Sequence, residues 1–372
     1  MDLYLGYPLS RAMVLGTILS MLMGCGSKLS GHAPPTTPPS VTKSPKVVVT
    51  NSVLCDLTQQ LAAETIALTC LSKPGIDPHT YEPTPSDRKA IEEADLILYN
   101  GYDLEPRLEK LVMATSGEVE KVAVAEIAVP KPLRGASHNH GDSSEHQERQ
   151  SNHALEHPSE SHGNPFDTGS ELEHQAEDAA PDPHVWQSAE YGQQMVAVMQ
   201  ASLAKLVPQE RDRYAANAQT LQAELTQLHT WIKAQIQTIP AQQRRLITTH
   251  DALEYYANAY GITVEGTLQG ISTEAKPSAG RMKVLIQEIR ASGVSTIFGE
   301  QTDNSRFLAT IAKEAGVRLA AESLYVDGLG DPSSDGATYQ AILIANTKTI
   351  VQGLGGRYMA FKRTRSAAEQ PF

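Results

Sequence analysis

The 372-residue chain has only three cysteines, and aromatic residues make up 5% of it. With so few cysteines in a chain long enough for two ordinary cores, folding rests on hydrophobic burial. No basic stripe with interleaved aromatics occurs, which argues against nucleic acid as a partner. No H-E-x-x-H helix occurs either. His250-Asp251-Ala252-Leu253-Glu254 places no second histidine one turn on, so a zinc hydrolase of that type is excluded. Positive charge is also short: 31 Lys and Arg against 43 Asp and Glu leave a net charge of −12, a balance that mildly favours cationic ligands.

Long hydrophobic runs are missing too. The longest is Ala12 to Gly24, preceded by Arg11, and it is too short to span a bilayer comfortably. It reads as the apolar region of a signal peptide. It ends in Leu22-Met23-Gly24-Cys25, which looks like a bacterial lipobox with Cys25 as the lipidated residue. An ordinary secretory signal with a chance cysteine is the alternative, and translation starting at Met13 is compatible with both. From Cys25 to Lys46 the chain is rich in Pro, Ser, Thr and Gly, a composition that buries no core and reads as a tether. The remaining cysteines, Cys55 and Cys70, fall on a first helix and the strand after it. A disulfide and two buried thiols are both compatible with that placement.

Beyond the tether, short apolar strands alternate with helices. Val47–Thr50, Thr65–Leu71, Leu96–Tyr99 and Val122–Val124 read as strands, with helices over Val53–Ala63, Thr84–Ala94 and Pro106–Met113 between them. Such alternation predicts a parallel sheet covered on both faces. Periodicity then stops from about Lys131 to Asp182. Seven of the twelve histidines lie in this stretch: His138, His140, His146, His153, His157, His162 and His174. Two helical stretches follow, Ser188–Leu206 and Gln209–Ile239. No heptad persists in them, so they read as a connector rather than a coiled coil. The alternation resumes with strands Leu246–Thr249, Thr263–Val264, Thr296–Phe298 and Val317–Ala320. Helices are expected over Asp251–Tyr260, Ser278–Ala291, Asn304–Ala315 and Asp335–Leu354. The expected division is a signal segment 1–25, a tether 26–45 and an N-terminal α/β lobe 46–187 that includes the His-rich loop 137–175. A helical connector 188–239, a C-terminal α/β lobe 240–358 and a polar tail 359–372, frayed from Lys362, complete it.

In parallel α/β sheets, ligands sit beyond the carboxyl ends of the strands. Four residues become candidates with that rule in view. His79 lies in Asp77-Pro78-His79-Thr80-Tyr81-Glu82-Pro83 after the second strand. His184 lies in Asp182-Pro183-His184-Val185-Trp186, where the His-rich loop meets the connector. His250 directly follows Leu246–Thr249, and Asp327 follows Leu324-Tyr325-Val326. Two come from each half of the chain and can converge on a cleft between lobes. Three neutral imidazoles and one carboxylate suit a tetrahedral zinc ion. Both Asp-Pro-His triplets are stiff turns, and a carboxylate near each histidine can hold its second ring nitrogen. Glu300, at another strand end, reads as a helix cap or as such a supporting acid. His32 and His229 read as tether and helix-surface residues, and Trp186 as packing.

Carried by Pro74–Asp87, Asp182–Trp186, Thr249–Tyr256 and Leu324–Asp327, the chain resembles the metal-binding lipoproteins of bacterial ABC importers, the cluster A-I solute-binding proteins for zinc and manganese. The resemblance covers about residues 45–357. It implies α/β architecture: two lobes with parallel sheets, joined by a long rigid helix, with the metal cleft between them. It implies a non-enzymatic, monomeric receptor in the periplasm or at the cell surface, held to the membrane through lipidated Cys25. Its partners would be a membrane permease and that permease's cytoplasmic ATPase. The implied ligands are His79, His184, His250 and Asp327. Histidine at position 250 and a His-rich loop are features of the zinc-type members, whereas many manganese-type members carry glutamate at the former. Zn2+ is therefore the expected cargo, with Mn2+, or mixed zinc, manganese and iron binding, as the alternative; a metal-binding adhesin on the same lobes is another. The seven loop histidines read as a low-affinity zinc antenna, as a sensor or chaperone-docking element, or as a neutral insertion.

Overall fold

A computed structural model describes residues 44–135, 180–301 and 305–364. Cys25, His32, the tether up to residue 43 and the seven loop histidines lie outside the described residues.

The N-terminal half is built on four parallel strands in the order β2-β1-β3-β4: β1 Lys46–Val49, β2 Ala67–Cys70, β3 Leu96–Tyr99 and β4 Glu120–Ala123. Val47 to Val49 and the whole of β3 are buried, as expected of a sheet packed on both faces. Three helices return the chain between strands: α1 Ser52–Ala62, α2 Pro85–Glu92 and α3 Pro106–Ala114. The start of α2 is dictated locally. Thr84 accepts from the Asp87 amide, Asp87 accepts in return from the Thr84 amide, and Pro85 fills the first turn, where no donor is needed. A short helix α4, Val124–Ala128, follows β4 directly.

Two long helices come next. Helix α5, Ala189–Leu206, packs against α4 and folds back on α6, Arg211–Gln237. The buried residues of α6 include Tyr214, Ala218, Leu221, Leu225, Leu228, Ile232 and Ile236, a stripe at three- and four-residue spacing. At 27 residues α6 is about 40 Å long. It touches α1 from the N-terminal half and, from the C-terminal half, both α7 (Glu254–Tyr260) and α10 (Tyr339–Gly353).

The C-terminal half pairs β5 (Arg245–Thr248) with β6 (Thr263–Thr267) and β7 (Thr296–Ile297) with β8 (Arg318–Leu319), both parallel. The Phe298 amide donates to the Ile247 carbonyl at 2.9 Å and joins the two pairs edge to edge. Helices α8 (Ala279–Ser292) and α9 (Ser305–Ala315) pack on each other over this sheet. Between the strands and these helices lies a small separate core, in which Ile247, Leu268, Leu285, Ile289, Ile297, Leu308 and Ile311 meet.

Three expectations need correction. The helix expected from Asp251 begins at Glu254: the Asp251 amide donates to the Gly270 carbonyl, and the amides of residues 249–250 are bound by a side chain from just beyond β7, described below. The last helix starts at Tyr339, capped by Thr338, not at Asp335. Lys362 to Thr364 are held rather than frayed: Gln227 on α6 bonds both the amide and the carbonyl of Thr364, and Phe361 packs edge-on against Trp231.

Cys55 and Cys70 form a disulfide, so the alternative of two free thiols does not hold. It ties α1 to β2, the edge strand of its sheet. The loop it closes spans 15 residues, for which chain entropy alone gives about 3 kcal/mol. Replacing both cysteines by alanine is therefore expected to lower unfolding free energy in urea by about 2–3 kcal/mol while leaving metal affinity unchanged. A change in metal affinity would show that the staple reaches the site.

Candidate metal centre

His79, His184, His250 and Asp327 converge. One donor atom from each lies within 4.8 Å of all the others, and all four residues are buried. Different parts of the fold deliver them. His79 sits in the loop after β2, with its amide donating to Asp77 Oδ1 at 3.0 Å. His184 lies at the end of a short antiparallel pairing in which Gly135 and Asp182 donate to Ala180 and Leu133. Its amide donates to Asp182 Oδ1 at 2.9 Å, so both Asp-Pro-His turns are closed in the same way. His250 follows β5. Asp327 follows Leu324, which bridges to Glu300 beyond β7.

The Asp327 segment is fastened to the N-terminal half although it belongs to the other half of the sequence. Trp186 Nε1 and Gln187 Nε2 both donate to the Val326 carbonyl, at 3.2 and 2.8 Å. The Gly75 amide donates to the Leu329 carbonyl, and the Leu329 amide donates to Ser52 Oγ. Trp186, read from sequence as packing, thus has one polar task in addition.

Each of two ligand-candidate rings is oriented by a buried acid. His250 Nδ1 lies 2.5 Å from Glu300 Oε2, while Glu300 Oε1 accepts from the amides of Thr249 and His250 at 3.0 Å each. His184 Nδ1 lies 2.7 Å from Asp182 Oδ1. An ionised carboxylate only accepts, so both rings carry a proton on Nδ1 and turn Nε2 inward. Glu300 is therefore no helix cap. Its placement at the end of a strand is the available signal in the sequence.

Four of the separations between inward atoms come close to tetrahedral spacing. His79 Nε2 is 3.2 Å from His184 Nε2. Asp327 Oδ1 is 3.6, 3.5 and 3.0 Å from the Nε2 atoms of His79, His184 and His250. An ion with four tetrahedral donors at about 2.0–2.1 Å sets donor separations of about 3.3–3.4 Å. His250 Nε2 and both Asp327 oxygens are buried without a hydrogen-bond partner, an arrangement that is costly unless something else satisfies them.

Electrostatics bind the same atoms together. Burial opposes charge on His250, but Asp327 and Glu300 outweigh it and raise the pKa of the ring well above the usual imidazole value. Burial opposes charge on Asp327 as well. The charge of His250, with the nearby rings of His184 and His79, overcomes it and holds the carboxyl well below the usual carboxylate range. Burial also works against a charged His184, yet Asp182 and Asp327 raise its pKa.

His229 stands away from this group, its ring 5.3 Å from that of Tyr260. Among the described residues no helix is long and apolar enough to cross a membrane.

The family model of ZnuA, zinc-uptake complex component A, periplasmic, matches residues 47–353. The zinc-binding protein TroA of Treponema pallidum is 30% identical over 315 residues, covering 83% of this chain and 89% of that protein. The manganese-binding lipoprotein MntA of Bacillus subtilis (strain 168) is 27% identical over 337 residues, covering 90% and 95%. The solved structure of periplasmic zinc-binding TroA from Treponema pallidum matches with a TM-score of 0.69 at 29% identity, covering 84% of this chain and 99% of that one.

Proposed function

The chain belongs to the ZnuA family of metal-binding, ABC-importer substrate-binding proteins, and on that premise we propose that it captures one zinc ion between its two lobes and hands it to a membrane permease. His79, His184, His250 and Asp327 are the proposed ligands. The observation that carries this reading is the convergence of four buried inward donors within 4.8 Å of one another, two of whose rings are pre-oriented by Glu300 and Asp182. Capture and delivery of an ion require no bond of a substrate to be made or broken, so the reading is of a receptor and not an enzyme. The permease and its cytoplasmic ATPase, the periplasmic or surface location, lipidation of Cys25, a monomeric receptor and the domain division given above belong to the same proposal. The segment 137–175 is proposed as a low-affinity zinc antenna that feeds this site.

Two observations bear on which metal. Three imidazoles and one carboxylate favour zinc over manganese on donor softness and on the general affinity order of divalent ions. Manganese is the second reading, because Asp327 Oδ2 is also without a hydrogen-bond partner and can supply a fifth oxygen-type contact, and because MntA is a manganese-binding relative.

The proposal is tested by proton release. Between the lowered pKa of Asp327 and the raised pKa of His250, the metal-free site holds a charged pair. That pair stabilises the metal-free chain at pH values below the raised His250 pKa, and the contribution is lost as pH rises through it. It is also lost as pH falls through the lowered Asp327 pKa. Zinc must displace the His250 proton. Calorimetry at pH 7 in two buffers of different ionisation enthalpy is therefore expected to show at least one proton released per zinc, with affinity falling as pH is lowered. Zinc binding without proton release would contradict the assignment of His250.

A further inference from the structure

The segment Gly270 to Ser278 has no part in the ligand set, yet it crosses from the C-terminal half to the loop that carries His79. Thr273 Oγ1 donates to Asp77 Oδ2 at 2.6 Å. The other oxygen of the same carboxylate, Oδ1, accepts from the His79 amide. One residue further on, Glu274 Oε1 pairs with Arg107 Nη1 at 3.0 Å. That same Nη1 reaches within 3.5 Å of the His79 carbonyl oxygen, and Arg107 Nε pairs with Glu82 at 3.2 Å. Both polar atoms of the His79 backbone are thus held by side chains, Asp77 and Arg107, and each of those side chains is tied across the cleft to the neighbouring residues Thr273 and Glu274.

Resting on the ligand reading above, we infer that Thr273 and Glu274 are positioning residues which, through Asp77 and Arg107, hold His79 on the ion and set the rate at which the metal leaves. The two ties differ in strength. Thr273 is 7% exposed, and its bond to a carboxylate is shielded from water. Arg107 and Glu274 have side chains 42% and 45% exposed, so their pair is weakened by solvent and salt. Opening the cleft must break both ties before His79 can retreat, because Asp77 and Arg107 grip its peptide from either side. The ties contribute to release and not to capture, since neither Thr273 nor Glu274 is among the four inward donors.

The test is the rate of Zn2+ release from the full chain into excess chelator, followed by stopped flow, together with the rate of Zn2+ association. Thr273→Val is expected to speed release about tenfold, and Thr273→Ser to restore the wild-type rate. Glu274→Ala is expected to speed release about two- to threefold at low salt and less at high salt. Glu274→Gln, whose oxygen can still accept from Arg107 Nη1, is expected to recover part of that loss. Association rates stay unchanged throughout. Lys205→Ala, which removes an exposed pair with Glu120 at 2.9 Å, serves as control and leaves release unchanged. Wild-type release from Thr273→Val and Glu274→Ala, with His79→Ala abolishing tight binding, overturns this inference alone. Tight binding that survives His79→Ala overturns the ligand reading instead. Failure of Thr273→Ser to rescue would reduce Thr273 to a packing role and equally overturn the inference.

Discussion

His250→Ala is expected to weaken zinc binding by two to three orders of magnitude while the chain stays folded. Four-ligand zinc sites release about 10–16 kcal/mol on binding, or about 2.5–4 kcal/mol for each ligand, which converts to about 10²- to 10³-fold in affinity. His250 is the ligand for which this full loss is most directly expected. Its Nε2 is buried, has no hydrogen-bond partner and lies 3.0 Å from Asp327 Oδ1. No other described histidine lies near enough to take its place, since His229 packs against Tyr260. The fold tolerates the change because Glu300 keeps its two amide donors, Thr249 and residue 250, at Oε1. Affinity within tenfold of wild type, measured by competition with a chelator, would place the ion elsewhere.

Glu300→Gln is expected to cost 10- to 100-fold in zinc affinity although it removes no ligand. The substitution preserves volume and can keep an oxygen on the amides of Thr249 and His250. The amide nitrogen then faces His250 Nδ1, where Glu300 Oε2 now stands at 2.5 Å. Two donors cannot share that contact, so the ring moves its proton to Nε2, the atom meant for the ion. The ligand is present but in the wrong tautomer. Asp182→Asn is expected to cost less, because Asp182 Oδ1 alone accepts from both the amide and Nδ1 of His184, and the asparagine oxygen can keep both contacts. Thermal stability without metal should change far less than affinity. Equal losses in both would mean that Glu300 only supports the fold.

The four converging residues are legible in the sequence because each obeys a local rule. His250 comes directly after an apolar strand, His79 and His184 lie in Asp-Pro-His turns, and Asp327 follows a short apolar run. The first sheet is legible for a similar reason, since Val47 to Val49 and Leu96 to Tyr99 are continuous apolar runs between helices. What is not legible depends on contacts between distant residues of ordinary type. Thr273 meets Asp77 across 196 positions, and neither residue stands out in its own neighbourhood. Local periodicity misplaces the start of α7 because distant groups hold the backbone before it: Glu300, fifty residues away, captures the amides of Thr249 and His250, and the Gly270 carbonyl accepts from the Asp251 amide. Spacing alone leaves the disulfide open, because it does not say whether a helix residue and a strand residue face each other, as Cys55 and Cys70 do. The two-residue strands β7 and β8 are too short to show a period of their own.

The most direct measurement is competitive titration of the purified chain with Zn2+ and Mn2+ after deletion of residues 137–175. One tight zinc ion per chain should remain, binding more strongly than manganese and lost in His79→Ala, His184→Ala and His250→Ala. Disappearance of the tight site with the deletion, or its survival in all three alanine variants, would contradict the assignment of the ion to His79, His184, His250 and Asp327.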